Sequence, residues 1–474
     1  MSRFFKFKTI ESIRDAAAQL NLRLEFDTAL DPLWSPFHVH GRRVGNRLAI
    51  QPMEGCDATP DGQPGELTFR RFERFGSGGA KLIWGEACAV VPEARANCRQ
   101  LIIHASTLSN LQELVERTRT AHRKALGDDS DLLIGVQLTH SGRWSYQQPI
   151  IAQADPLLDS RLPKREGPSG PTAHAHLISD DELDRLQDDY VRAAGLAYQA
   201  GFDFVDLKQC HRYLLNELLA ARRRPGRYGG SYENRTRFIR AIVSRTREQY
   251  PNLIVGSRLN LFDGVPFLKG EGGTGAPVPF QTPVETCWGT NPENPLEPDL
   301  TEPLQLIGEL QALGVAMVNV SLGNPYASPH LLRPFEYAPS EGYLSPEHPL
   351  IGVARHIHCT RVIQRAFPDL VVIGSGYSWL QQFAFSAAAA EVRAGGVTAV
   401  GMGRASLSQP DFARRLQSDE GLDQKRICRT FSYCTTLMRS KSHPLGQYPT
   451  GCPPFDKEAY GPIWKTLQAA EPDA

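Results

Sequence analysis

The chain has no excess charge of either sign: 52 Lys and Arg balance 52 Asp and Glu over 474 residues. With a pI near 7.2, it lacks the electrostatic footprint expected of a protein that binds nucleic acid or an anionic membrane surface. Long apolar runs are also missing. Stretches such as Leu370–Gly374 and Phe383–Ala390 fall far short of the roughly 20 residues a spanning helix needs, so no membrane crossing is expected. The opening MSRFFKFKTIESIRDAAAQL has cations but no continuous apolar stretch before a small-residue cleavage site. It does not read as a secretory signal, and a cytoplasmic protein is expected. Nine cysteines are too sparse for a disulfide framework, and an odd number leaves one unpaired, so reduced thiols are the default. No internal repeat of fixed period is visible.

What is present is an ordinary globular composition, 41% hydrophobic and 22% charged, in which strand-like and helix-like stretches alternate. Eight strands are predicted: Arg47–Pro52, Lys81–Ala87, Leu132–Leu138, Phe204–Lys208, Leu253–Leu259, Met317–Ser321, Leu370–Gly374 and Ala399–Gly403. Between two of them, Asp180–Gln199 repeats apolar residues in steps of three and four, a helical face. Eight such units predict an α/β fold, a (β/α)8 TIM barrel, with a doubly wound open sheet as the competitor. The expected division is a helical extension over 1–32, the barrel over 33–416 and a C-terminal extension over 417–474. Two insertions rich in Pro and Gly, Ser145–Ile178 and Asn260–Pro303, each follow a strand. They are expected at the C-terminal face as lids.

The most informative stretch is AGFDFVDLKQCHRYLLNELLAARRRPGRYGGSYENRTRF, from Ala200 to Phe238. Its Tyr228-Gly229-Gly230-Ser231, Glu233-Asn234-Arg235 and Arg237-Phe238 resemble the signature of the Old Yellow Enzyme family of FMN oxidoreductases. Other stretches follow in the family's order: Leu33–Met53, the run Gln137-Leu138-x-His140-x-Gly142-Arg143, VGSRL around Arg258, Val371–Tyr377 and Val400–Phe412. The resemblance covers roughly residues 33 to 415. It implies an FMN held without a covalent bond across the barrel mouth, and NADH or NADPH as the hydride donor. Cys56 lies close enough to the first strand for a covalent flavin link to be checked.

Each position also has its own physical reading. Gly376 and Gly403 allow close approach of the backbone to a phosphate, and Arg404 adds a cation. Arg258, at the end of an apolar strand, needs either an anion or a structural ion pair. Gln137 offers a donor and an acceptor, as a pyrimidine edge requires. By resemblance, the flavin also touches Pro52, Met53 and Glu54 at the end of the first strand, Ala87 at the end of the second and Tyr377 after the seventh. In relatives that reduce activated alkenes, the residue matching Tyr213 donates a proton to Cα, with His211 in the substrate-polarising pair.

The motif departs at one position, where Lys208 stands in place of the family's first His. An ammonium there either meets a substrate carboxylate or is neutralised, with Glu54 the obvious partner; the rival is that either side chain turns to solvent. In the tail, Cys428, Phe431, Cys434 and Cys452 resemble a degenerate iron–sulfur motif, and no metal is expected. His356, His358 and Cys359 on a predicted helix, Gly352–Ala366, are expected to form a polar face. The implied activity is reduction of an activated C=C bond of a small-molecule substrate that can carry a carboxylate. Amine dehydrogenation or demethylation, and flavin binding without turnover, are the alternatives. Homo-oligomerisation stays open.

Overall fold

The computed structural model describes residues 4–471 apart from 163, 168–169, 174, 340–341 and 419, and only the backbone of 164–167 and 170–173. All eight predicted strands form, as β1 (Leu48–Ile50), β2 (Leu82–Ala89), β3 (Leu133–Thr139), β4 (Phe204–Leu207), β5 (Ile254–Asn260), β6 (Met317–Ser321), β7 (Val371–Gly374) and β8 (Ala399–Met402). Each pairs in parallel with its neighbours in sequence, and β8 closes onto β1. A helix follows every strand, from Glu66–Gly76 after β1 to Phe412–Gln417 after β8. This is the (β/α)8 barrel, and the open-sheet alternative falls.

The strands are apolar on both faces because both are covered. One face packs against the surrounding helices. The other fills the barrel's axis, where Leu82, Trp84, Leu133, Phe204, Ile254 and Met317 share one cluster with Phe37, Val39 and Val44. Those three belong to the antiparallel pair Phe37–Val39 and Arg42–Val44 that precedes β1. It stoppers the N-terminal end, so any cavity must lie at the C-terminal mouth.

Helix Asp180–Gln199 forms over the predicted span. Ser179 accepts from the Glu182 N–H and Glu182 accepts from the Ser179 N–H, a reciprocal cap. The helix at Pro349–Ala366 differs from expectation in its faces. His356 and Cys359 are buried and only His358 is exposed. His356 Nε2 lies 3.0 Å from the Leu331 carbonyl, so its polarity is spent on a backbone oxygen rather than on water.

Only part of the expected lids cover the mouth. The described residues of Ser145–Ile178 contribute Ser145, Tyr146 and Arg161 to the cavity wall; the rest of that expectation falls partly on residues outside the described set. The second insertion is not a lid among the described residues. None of Leu261–Pro303 lines the cavity. It folds as a short hairpin, Phe267–Lys269 with Gly275–Pro277, and anchors Arg212 through Asp263 and Thr286. A buried guanidinium holds it down, and the same Arg212 ties in Asp155 of the first insertion. No helix among the described residues is long and apolar enough to cross a membrane.

Candidate active site

A cavity of about 600 Å³ opens at the C-terminal mouth. Residues at or just beyond the ends of β1, β3, β4, β5, β7 and β8 line it: Pro52, Met53, Glu54, Gln137, Lys208, His211, Tyr213, Arg258, Gly376, Gly403 and Arg404. Two expected contacts lie off the wall. Ala87 is fully buried in β2 beside an irregularity in register, and its carbonyl accepts from Gln100 Nε2 at 3.2 Å. Tyr377 is buried beyond Gly376, near Arg361 and Glu391.

At one end, the wall is organised by Asp206, a residue no motif had singled out. It lies in β4 with no exposure, and its carboxylate accepts from Gln137 Nε2 (2.6 Å), Trp84 Nε1 (2.6 Å) and the Arg258 backbone N–H (2.6 Å). Burial pushes its carboxyl above the ordinary range, against those three donors. The network fixes the Gln137 amide, whose remaining N–H and oxygen are left for a ligand. The Arg258 guanidinium has no carboxylate partner among the described residues, its Nε has no hydrogen bond, and burial lowers its pKa. The structural ion pair is thus excluded within that set.

At the opposite end, Gly376 has φ 93°, a conformation open to glycine, and a Cβ there would lie 2.7 Å from the His356 ring. At Gly403 a Cβ would lie 3.1 Å from the Met53 sulfur. Ser375 beside them donates to the Val320 carbonyl and accepts from Gln51 Nε2 at 2.9 Å. Two guanidiniums complete the cradle. Arg404 spends Nη2 on the Pro334 carbonyl (2.7 Å) and leaves Nη1 unbonded; Arg333 leaves Nε and Nη2 unbonded. Burial, with Arg439 and Arg404 nearby, pulls Arg333 down to about 9. Two buried guanidiniums so close, with unbonded nitrogens on both, need an anion between them.

The turn after β4 carries the reactive side chains. His211 and Arg212 both adopt left-handed backbone, φ 67° and 59°, which costs non-glycine residues on the order of 1–3 kcal/mol each. Arg212 holds the turn by pairing with Asp155 and with Asp263 (3.2 Å), while its N–H donates to Asn216 Oδ1 at 2.7 Å. The reversal turns both His211 and Tyr213 into the cavity. His211 Nε2 sits 3.0 Å from Ser321 Oγ, and burial beside Arg258, Lys208 and Arg333 keeps the ring neutral. Lys208 lies at 2% side-chain exposure. Its ammonium is 3.4 Å from Glu54 and 3.8 Å from the centroid of the Tyr213 ring. The pairing alternative for Lys208 therefore holds over release to solvent. Beneath Glu54, the Gly55 N–H donates to Glu86 at 2.9 Å, and Glu86 shares Arg71 with Asp57.

Tyr213 is buried, and its hydroxyl lies 3.0 Å from that of Tyr326 after β6. The Tyr326 ring stacks on Trp144, centroids 4.4 Å apart. Burial and nearby Glu54 raise the Tyr213 phenol, so it keeps its proton at ordinary pH. Sequence patterning missed Trp144 and Tyr326. Tyr326 comes five residues after the end of β6, where barrels place functional groups, and that position was its only signal. In the C-terminal extension the only signal was the degenerate cysteine motif, which gave no hint of the site, yet Cys434 of that motif with Met438, Arg439, Lys441, Gln447 and Thr450 closes one side of the cavity. Among the described residues no three His, Cys, Asp or Glu side chains gather as a metal site. Cys56 is buried and does not line the cavity.

The donor set fits FMN: unbonded guanidinium nitrogens and glycine backbone suit a phosphate at one end, and Gln137 and Arg258 suit a pyrimidine edge at the other. The family model described as "NADH:flavin oxidoreductase / NADH oxidase family" matches residues 32–274. The NADPH dehydrogenase of Bacillus cytotoxicus is 30% identical over 222 residues, 46% of this chain and 58% of that protein. That of Bacillus pumilus is 32% identical over 225 residues, 46% and 60%. The match thus spans a little under two thirds of these relatives. Among solved structures, morphinone reductase in complex with tetrahydroNAD superposes with TM-score 0.59 at 22% identity, covering 89% of this chain and 96% of that one. A complex of 2-naphthoyl-CoA reductase with 2-naphthoyl-CoA gives 0.65 at 15% identity, 92% and 58%. At such identities these two show the fold. With the family model covering more than half of its length, the chain belongs to the NADH:flavin oxidoreductase / NADH oxidase family.

Proposed function

We propose that this protein is an FMN-dependent ene-reductase: NAD(P)H and a proton reduce the C=C bond of an activated alkene, leaving NAD(P)+ and the saturated product. The observation that carries the reading is the Tyr213 phenol, buried and protonated, in the same cavity as Gln137 and Arg258. When bound, FMN supplies the two-electron carrier between nicotinamide and alkene.

The chain's own residues do the rest. Arg404, Arg333 and the backbone at Gly376 and Gly403 hold the phosphate. Gln137, set by Asp206, and Arg258 would hold the pyrimidine edge, where the guanidinium would supply a fixed positive charge. Neutral His211, and Lys208 held by Glu54, present donors to the electron-withdrawing group. Tyr213 gives its proton to Cα. Tyr326, 3.0 Å away, accepts or donates along that hydrogen bond. The amine-oxidising alternative fits less well, because among the described residues an ammonium substrate would meet many cations and one carboxylate, Glu54, that is already paired.

The test is anaerobic mixing of the purified yellow protein with NADH, NADPH or dimethylglycine, followed by an enone. Bleaching of the flavin's visible band by a nicotinamide and its return with the enone supports the reading. Bleaching by the amine alone, or none, refutes it. Release of all flavin on acid precipitation checks that it is non-covalent.

A further inference from the structure

Among the described residues, eight cationic side chains line the cavity and Glu54 is the one carboxylate. Arg143 is neutralised behind the wall by Glu217 and Asp159, and Lys208 by Glu54. Among the described residues, Arg161, Arg258, Arg333, Arg404 and Lys441 have no carboxylate at ion-pair distance. The flavin reading accounts for three: Arg333 and Arg404 at the phosphate, Arg258 at the ring. Arg439 has interactions of its own, and of the five Arg161 and Lys441 remain. Both lie outside the barrel strands, on the first insertion and the C-terminal extension.

Arg161 is built into place. Its Nη1 donates to the Tyr326 carbonyl and its Nη2 to the Phe267 carbonyl, both at 2.7 Å. That leaves three N–H groups on a guanidinium already oriented beside Tyr326, whose ring stacks on Trp144 and whose hydroxyl touches Tyr213. Two backbone carbonyls satisfy hydrogen bonds but supply no net charge. A neutral substrate would therefore leave this cation uncompensated in a partly dry site, whereas an anion would complete it. Lys441, at the exposed mouth, adds attraction at longer range.

We infer that the substrate is a flat unsaturated acid, lying against the Trp144–Tyr326–Tyr213 aromatic wall with its carboxylate or phosphate on Arg161 and with Lys441 steering its entry. This rests on the ene-reductase reading and goes past the motif, because neither cation belongs to it and Lys208, the residue that suggested acids in the sequence, is already neutralised.

The experiment is calorimetric titration of the flavin-loaded protein with cinnamate, methyl cinnamate and cinnamyl phosphate. The anions should bind about tenfold or more tightly than the ester, as a charge-assisted hydrogen bond allows; whichever anion binds better identifies the source of charge. Arg161→Gln should erase the preference, and Arg161→Lys should keep part of it. Lys441→Gln should lower it by up to about fivefold at low salt and not at high salt. An anion-to-ester ratio near one in the wild type, or equal loss in the Gln and Lys variants at position 161, overturns the inference. Protein that holds no flavin, or whose flavin no nicotinamide reduces, would instead refute the ene-reductase reading.

Discussion

Glu54→Gln isolates the one place where the chain departs from its family motif. It keeps the shape of the side chain and removes the charge facing Lys208. At 3.4 Å the Coulomb attraction is about 5 kcal/mol at an effective dielectric of ~20. Much of that is offset by the cost of drying both groups, Lys208 at 2% exposure and Glu54 at 16%. Losing only the carboxylate strands an ammonium that cannot reach water, and Arg258 and Arg333 share its cavity. A destabilisation of about 3 kcal/mol, the lower end for a broken buried pair, is expected in urea unfolding of the flavin-loaded protein. Lys208→Met should cost less, because Glu54 is nearer solvent. The double variant should then be more stable than the sum of the singles predicts, by about 1–3 kcal/mol. Glu54→Gln should also tighten cinnamate binding relative to its methyl ester, since Lys208 then needs an anion. A coupling below about 0.5 kcal/mol, with an unchanged acid-to-ester ratio, would refute the pairing argument.

Tyr213→Phe should leave flavin reduction by nicotinamide nearly intact and slow reoxidation by the alkene about a hundredfold or more in stopped-flow; equal losses in both halves would mean a packing role. Gly376→Ala puts a methyl group 2.7 Å from the His356 ring at φ 93°, so the protein should purify with well under one flavin per chain, measured by the ratio of absorbance at 450 to 280 nm. His140 is buried, accepts from the Gly142 N–H at 3.0 Å, and burial depresses it to about 4. A depressed histidine contributes stability that is full above its unfolded value near 6.5 and lost as pH falls through about 4. Relative to His140→Asn, the wild type should therefore lose about 1.4 kcal/mol per pH unit across that window in urea melts, and parallel curves would contradict it.

The eight strands were legible because each is a short apolar run bounded by turns, and alternation with helical periodicity leaves a parallel barrel as the compact solution. The residues at or just past those strands were legible for the same reason. Once β3, β4, β5, β7 and β8 are placed, Gln137, Lys208, His211, Tyr213, Arg258, Gly376, Gly403 and Arg404 must converge on one mouth, and they do. Whether Lys208 meets Glu54 could not be read from the chain, because 154 residues separate them and only barrel closure brings β1 and β4 to face each other across the axis. The two insertions were both expected as lids, and sequence alone could not tell which of them reaches the mouth. Both are rich in turns, yet Arg161 reaches the cavity while Asp263 and Thr286 are drawn aside by the buried Arg212 guanidinium. The C-terminal extension shows the limit most plainly. Apart from Cys434 its wall residues carry no motif of their own, and they line the cavity because the extension is bound to the barrel elsewhere. Asp456 pairs with Arg70 at 2.7 Å and with Arg74 on the first barrel helix, and the Thr450 N–H donates to the Gly55 carbonyl at 2.6 Å. Local sequence specifies which segments fold as strand or helix; long-range charge pairing and closure of the barrel decide which loops reach the site.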